Sequence, residues 1–194
     1  MRALENTNRE KVIVQSTYGA QEGNHIGDSG SLYLLEEKVK QIYPEALIVR
    51  AVFYMSNWDF ALNEIIEKGW LTTIYPSHSI IPVIAPRNIA DYLTRLLKSG
   101  KAGIYHVEGP ERYTFQDVAS AFETALGKRV KLEVVNREDI EKYYLSSRFA
   151  KISAVSFNRI ALKTTSGNWP PLNKTMRGKI TLQQYIEKLC LKSA

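Results

Sequence analysis

Short β-branched runs that end in polar loops, each followed by helical periodicity, constrain this chain more than any other feature. The first is Val12, Ile13 and Val14, which lead into Gln15, Ser16, Thr17, Tyr18 and Gly19. An apolar run of this length, closed by a polar loop, reads as a buried parallel strand over 12–16. Ligands sit at such strand ends in doubly wound sheets. Leu32, Leu35, Val39 and Ile42 then recur at helical spacing, which predicts an amphipathic helix over 31–42, ended by Pro44. "ALIVRAVF", residues 46–53, is the second buried strand.

The alternation continues. Trp58, Ala61, Leu62, Ile65 and Ile66 mark a helix with Ser56 or Asn57 as N-cap and Gly69 as its stop. Residues 71–75 form a short strand. A Pro-interrupted extended piece precedes a helix over 87–98, and residues 103–107 give a third core strand. Thr114 and Asp117 have capping-box spacing before Phe115, Val118, Phe122 and Leu126. Residues 129–135 alternate as a half-buried strand. Asn136 and Asp139 can cap a helix through Tyr144. Residues 146–178 combine some helix with a Pro/Gly/Asn-rich loop, and Thr181 with Gln184 caps a closing helix. This order predicts an α/β protein with parallel strands.

Composition narrows the function classes. A chain of 194 residues buries roughly 70% of its unfolded surface, enough for one domain or a domain with a lobe. No run of about 18 apolar residues is present, so no membrane span is predicted. The start, "MRALENTNREK", lacks the apolar core of a secretory leader. The lone Cys190 fits a reducing, cytoplasmic setting. Residues 1–97 carry 9 Lys/Arg against 11 Asp/Glu, and residues 98–194 carry 17 against 9. A basic half can attract phosphate, nucleic acid or an acidic protein. The basic residues are scattered without interleaved aromatics, so a solvated surface is favoured and a nucleic-acid-binding module ranks last.

Motifs exclude more than they assign. There is no G-x-G-x-x-G, no phosphate-binding P-loop and no H-E-x-x-H. No metal site is predicted. His25, His78 and His106 lie far apart, and no nucleophile elbow supports a triad on Ser16. Tyr33 and Lys38 follow the Ser16 strand, as a proton-donating Tyr and its Lys would in a short-chain dehydrogenase. Their separation of five, however, turns them about 140° apart on a helix. Packing for Tyr33 and solvation for Lys38 is the favoured reading.

Several segments, taken in order, resemble the NmrA-like proteins, atypical members of the short-chain dehydrogenase/reductase superfamily. These are "KVIVQSTYGA", "ALIVRAVFYMSNW", "PRNIADYLTRLL", "GIYHVEGPERYTFQDVASAFETALGKRVKLEVV" and "ITLQQYIEKL". Arg50, Phe53, Met55 and Asn57 match an Arg-Pro-x-x-Phe-Met-x-Asn segment, with Ala51 in place of the proline. The resemblance implies a Rossmann-like parallel sheet over 1–108 with a small C-terminal α+β substrate lobe over 109–194, residues 71–100 lying partly in the lobe. It also implies truncation. The strand over 12–16 corresponds to the family's fifth, residues 1–10 to the end of a helix, and the glycine-rich cofactor turn has no counterpart.

The family uses NADP or NAD. The resemblance leaves this chain only a nicotinamide and substrate side: Ser16, Thr17, Tyr18, Arg50, Phe53, Tyr54 and Asn57. Where reductase-like relatives carry a catalytic Lys, the position falls near Leu32 and Tyr33, and neither is Lys. The implied function is a non-catalytic or weakly active ligand- or partner-binding protein of regulatory or redox-sensing type. The alternative is an NAD(P)H-dependent reductase of a small carbonyl or quinone whose cofactor-binding half is absent. Enzymatic activity stays open, and tight cofactor binding by this chain is not expected. An uncovered strand edge implies a homodimer or a complementing chain.

Overall fold

The computed structural model describes residues 10–23, 27–147, 149–165 and 175–192. In chain order they form β1 (Ile13–Thr17), α1 (Asp28–Ile42), β2 (Leu47–Ala51), β3 (Phe53–Tyr54), a 3-10 segment (Met55–Ala61), α2 (Leu62–Lys68), β4 (Trp70–Thr73), β5 (Ile80–Ile84) and α3 (Pro86–Ser99). Then come β6 (Gly103–Glu108), β7 (Arg112–Thr114), α4 (Phe115–Leu126), β8 (Lys131–Val134) and a 3-10 turn (Arg137–Asp139). The last elements are α5 (Ile140–Ser146), α6 (Lys151–Thr165), β9 (Thr175–Arg177) and α7 (Leu182–Leu191).

Four strands make a parallel sheet in the order β1-β2-β6-β9. Side chains alternate across it. One face packs Val14, Ile48 and Ile104 beneath Val39 of α1. The other packs Leu47, Val49 and Val107 against Ile89, Tyr92 and Leu96 of α3. The result is helix, sheet, helix: the α/β class the sequence predicts. A larger second core joins Met55, Leu62, Ile65 and Leu71 to Phe115, Phe122, Leu182 and Ile186. It is framed by the parallel pair β4-β8 and the small sheet β3-β5-β7. Both expected capping boxes form, Thr114 with Asp117 and Thr181 with Gln184.

Several expectations are corrected. The run over 46–53 is two strands, because the chain leaves the main sheet after Ala51 and Phe53–Tyr54 pairs instead with β5. The first strand is not fully buried: only Ser16 is, since β1 is the sheet's edge and Gln15 faces solvent. Helix α1 begins earlier, at Asp28, and its buried stripe is Ser29, Glu36 and Val39, while Leu35 is exposed. Neither Ser56 nor Asn57 caps α2, because a 3-10 segment starting at Met55 leads into it. Asn136 and Asp139 hold cap positions without side-chain cap bonds. Strands β7 and β9 are additions. Of the loop expected over 166–178, residues 175–177 form β9 instead; residues 166–174, and residues 1–9 of the helix tail expected over 1–10, lie outside the described residues.

Gly27 at the start of α1 is demanded by its surroundings. Its φ of 58° and ψ of −142° are open essentially to glycine alone. A Cβ there would meet the Ser156 carbonyl oxygen at 2.7 Å and Ile160 at 2.8 Å on α6. Gly27→Ala is therefore expected to destabilise the fold by roughly 2–4 kcal/mol, adding backbone strain to overpacking. Urea unfolding with an unchanged slope and a lower midpoint is the expected readout.

Candidate functional site

The carboxyl ends of β1, β2, β6 and β9 form one edge, where the topology of an α/β sheet puts ligands. Strand register sets which side chains meet there. Ser16 lies opposite Arg50, Arg50 opposite His106, and His106 opposite Thr175. These four share the α1 face. Two residues further along on β6 and β9 stand Glu108 and Arg177, with Tyr18 just past the end of β1.

The first row is closed from above by Glu36 of α1, whose side chain is fully buried. Arg50 donates from Nε to Glu36 Oε1 at 3.0 Å and from Nη2 to Oε2 at 2.6 Å. Ser16 Oγ donates to Glu36 Oε1 at 2.5 Å. Arg50 and Ser16 are themselves buried. The fork-to-fork geometry answers the carboxylate's charge in a dry setting. Glu36 was not anticipated, though its position three residues before Val39 on a helix facing an arginine strand is a readable signal.

The second row is charged and open. Glu108 is 2% exposed and holds two guanidiniums: Arg177 Nη2 at 2.9 Å from Oε1 and Arg112 Nε at 3.3 Å from Oε2. Tyr18 sets its ring edge-on to buried His106, with centroids 5.9 Å apart. Burial pushes the Tyr18 phenol above the usual tyrosine range; nearby Arg112 opposes this and Glu108 adds to it.

The remaining sequence candidates divide. Thr17 is half-buried beside this edge. Tyr54 accepts a hydrogen bond from Gln15 Nε2 at 2.6 Å. Phe53 turns to the second core, in an aromatic cluster with Trp58, Tyr75 and Phe115. Asn57 is exposed in the 3-10 segment. Tyr33 is half-buried, whereas Lys38 is exposed and reaches Gln41 at 3.5 Å. A separate groove of about 510 Å³ opens at the carboxyl ends of β4 and β8, lined by Ile74, Val134, Asn136, Arg137 and Leu162 among others.

The described residues do not fit a dinucleotide pyrophosphate at the loop from β1 into α1. The α1 N-terminus is covered by α6, with Ser156 Oγ donating to Asp28 Oδ1 at 2.6 Å. Asp28 adds a negative charge in the first turn, which opposes phosphate binding there. Among the described residues no group of three His, Cys, Asp or Glu is placed for a metal, and no helix is long and apolar enough to cross a membrane.

Removing Glu36 tests the weight of the first row. Glu36→Ala leaves Arg50 buried without its partner and is expected to cost about 3–5 kcal/mol. Replacing both, Glu36→Leu with Arg50→Met, should recover most of that loss in chemical denaturation.

No family model and no curated protein matches this chain. Solved structures do. The Citrobacter sp. triphenylmethane reductase complexed with NADP(H) aligns with a TM-score of 0.76 at 17% identity, over 97% of this chain and 68% of that one. The Escherichia coli NADPH-dependent quinone oxidoreductase complexed with NADPH gives 0.73 at 15%, over 97% and 68%. A nucleoside-diphosphate-sugar epimerase from Staphylococcus aureus gives 0.70 at 20%, over 91% and 64%. This chain thus spans about two thirds of the length of these structures, and it shares the Rossmann-like fold of these two reductases and this epimerase.

Proposed function

We propose that this chain is an NmrA-like protein that binds a small ligand or a protein partner and turns cofactor over weakly or not at all. One observation carries this reading. The polar side chains best placed to meet a nicotinamide, Ser16 and Arg50, are committed to Glu36 at 2.5–3.0 Å. The candidate proton-donating pair, Tyr33 and Lys38, is five residues apart and so diverges by about 140° around α1. The ligand crevice lies at the carboxyl edge of the main sheet, where Tyr18, Tyr54 and the Glu108 arginines stand. Reduction of a small carbonyl or quinone is the second reading, favoured by the fold shared with the NADPH-complexed quinone oxidoreductase. It needs a glycine-rich phosphate turn, a motif this sequence does not contain.

A cofactor titration separates the two. This chain is expected to bind NADPH no tighter than about millimolar, because pyrophosphate recognition needs backbone N–H groups at an open helix N-terminus. Micromolar affinity by calorimetry, with NADPH oxidation on adding a quinone, would establish the reductase reading instead.

The β1 edge supports self-association as part of this function. Among the described residues β1 pairs only with β2, and Val12, Ile13 and Val14 are half-buried. Antiparallel pairing of two β1 edges is a two-fold symmetric way to close them. Sedimentation velocity at micromolar concentration should give a dimer; a folded monomer there refutes the pairing.

A further inference from the structure

Burying a carboxylate is costly unless its charge is answered, and one guanidinium is enough to answer it. Glu108 has two. It sits at the last position of β6, in register with Arg177 on β9, and the turn that follows brings Arg112 back to it. Backbone bonds fix both neighbouring glycines: Gly109 N–H donates to the Val83 carbonyl at 2.6 Å, and Gly178 N–H donates to the Glu108 carbonyl at 2.7 Å. The arginines are thereby held on opposite oxygens of one carboxylate, and the group retains a net positive charge.

The donors left over face outward. Glu108 is 2% exposed, whereas the Arg112 and Arg177 side chains are 49% and 58% exposed. Arg112 uses only Nε on the protein, so both its Nη groups lack a protein acceptor among the described residues. Arg177 gives Nη2 to Glu108 and Nη1 to the Pro110 carbonyl at 3.3 Å, leaving Nε. Planar guanidinium donors in fixed positions match the oxygens of a carboxylate or phosphate. Tyr18, just past the end of β1, stands beside this edge with its ring edge-on to His106, two residues before Glu108 on β6.

We propose that Arg112 and Arg177, splinted by buried Glu108, form an oxyanion-binding site at the carboxyl edge of the sheet, which grips the carboxylate or phosphate group of a small ligand. The proposal deepens the ligand-binding reading above and rests on that crevice. It gives the ligand a polarity: its anionic end lies over β6 and β9, and the rest extends toward Tyr18 and Tyr54. The excess of basic residues over 98–194 favours the approach of such a ligand.

The test titrates the intact chain with inorganic phosphate and, separately, with succinate, at constant ionic strength held with chloride, and follows backbone amide shifts. Saturable shifts centred on Arg112, Arg177 and Gly178 are expected with at least one of the two, and the tighter one identifies the oxyanion. Arg112→Ala should weaken that binding about tenfold while leaving the amide spectrum elsewhere and the thermal midpoint nearly unchanged. Arg112→Lys, which keeps the charge but loses the fork, should recover only part of it. Absence of saturable shifts with both anions, or equal binding by wild type and Arg112→Ala, overturns the site. A lowered midpoint in Arg112→Ala with no change in anion affinity would make the trio a structural clip. A neutral ligand that moves Tyr18 and Tyr54 while neither anion binds would keep the crevice and overturn the anion site alone.

Discussion

The rest of the fold depends on one buried carboxylate. Glu36 reaches down from α1 and takes bonds from Ser16 on β1 and Arg50 on β2. Three elements therefore meet at one charge, and each must present the right face. A slip of one residue in either strand would turn Ser16 or Arg50 to the α3 side. The price would be an unpaired ion in a dry layer, far more than a lost van der Waals contact. The apolar packing above and below this point is generic; Val14, Ile48 and Ile104 could accept several helix orientations. The Glu36 network is what singles out one.

That constraint reaches the site. Polar groups at a strand's carboxyl end can serve a ligand or the scaffold, and a fully engaged bidentate pair serves the scaffold. With Ser16 and Arg50 so engaged, and with α6 over the start of α1, the edge keeps Tyr18, Tyr54 and the arginines around Glu108 as its accessible chemistry. A Rossmann-like fold hosts reductases and epimerases alike, so the fold does not choose among activities. The side chains at the edge do.

Local signals carried much of the architecture. Thr114 with Asp117 and Thr181 with Gln184 formed the boxes their spacing predicts, because capping is decided within four residues. Strand β2 and helix α3 were legible for the same kind of reason: a continuous apolar run and a 3.6-residue stripe. What was hidden depends on partners distant in sequence. Leu35 has the right spacing for a core face and is exposed, because Arg50 on another element draws Glu36 inward and turns α1. Strand β9 has only three residues, in a segment rich in turn formers, and is specified by pairing to His106, Val107 and Glu108 rather than by its own propensity. The break at Ala51 depends on where β5 lies. Near the carboxyl edge, Ser16, Tyr18 and Tyr54 were singled out as residues at or just past strand ends, and Arg50 by the family resemblance. Glu36, Glu108, Arg112 and Arg177 were missed, since charged residues read singly look like solvated surface.

The two buried carboxylates show how charge count separates structure from recognition. Glu36 and Glu108 are almost equally buried, and both sit beneath arginine at the same sheet face. Glu36 meets one guanidinium that is itself buried, plus a hydroxyl; the charges cancel, and nothing is left to attract a solute. Glu108 meets two guanidiniums that are half-exposed, so one positive charge is left over, fixed in place and facing solvent. A free arginine would lose side-chain entropy on gripping an anion. These two have already lost part of it to Glu108. An arrangement that stabilised only the fold would be complete with Arg177, which already ties β9 to β6. Arg112 is the surplus, and its unused donors give that surplus a direction.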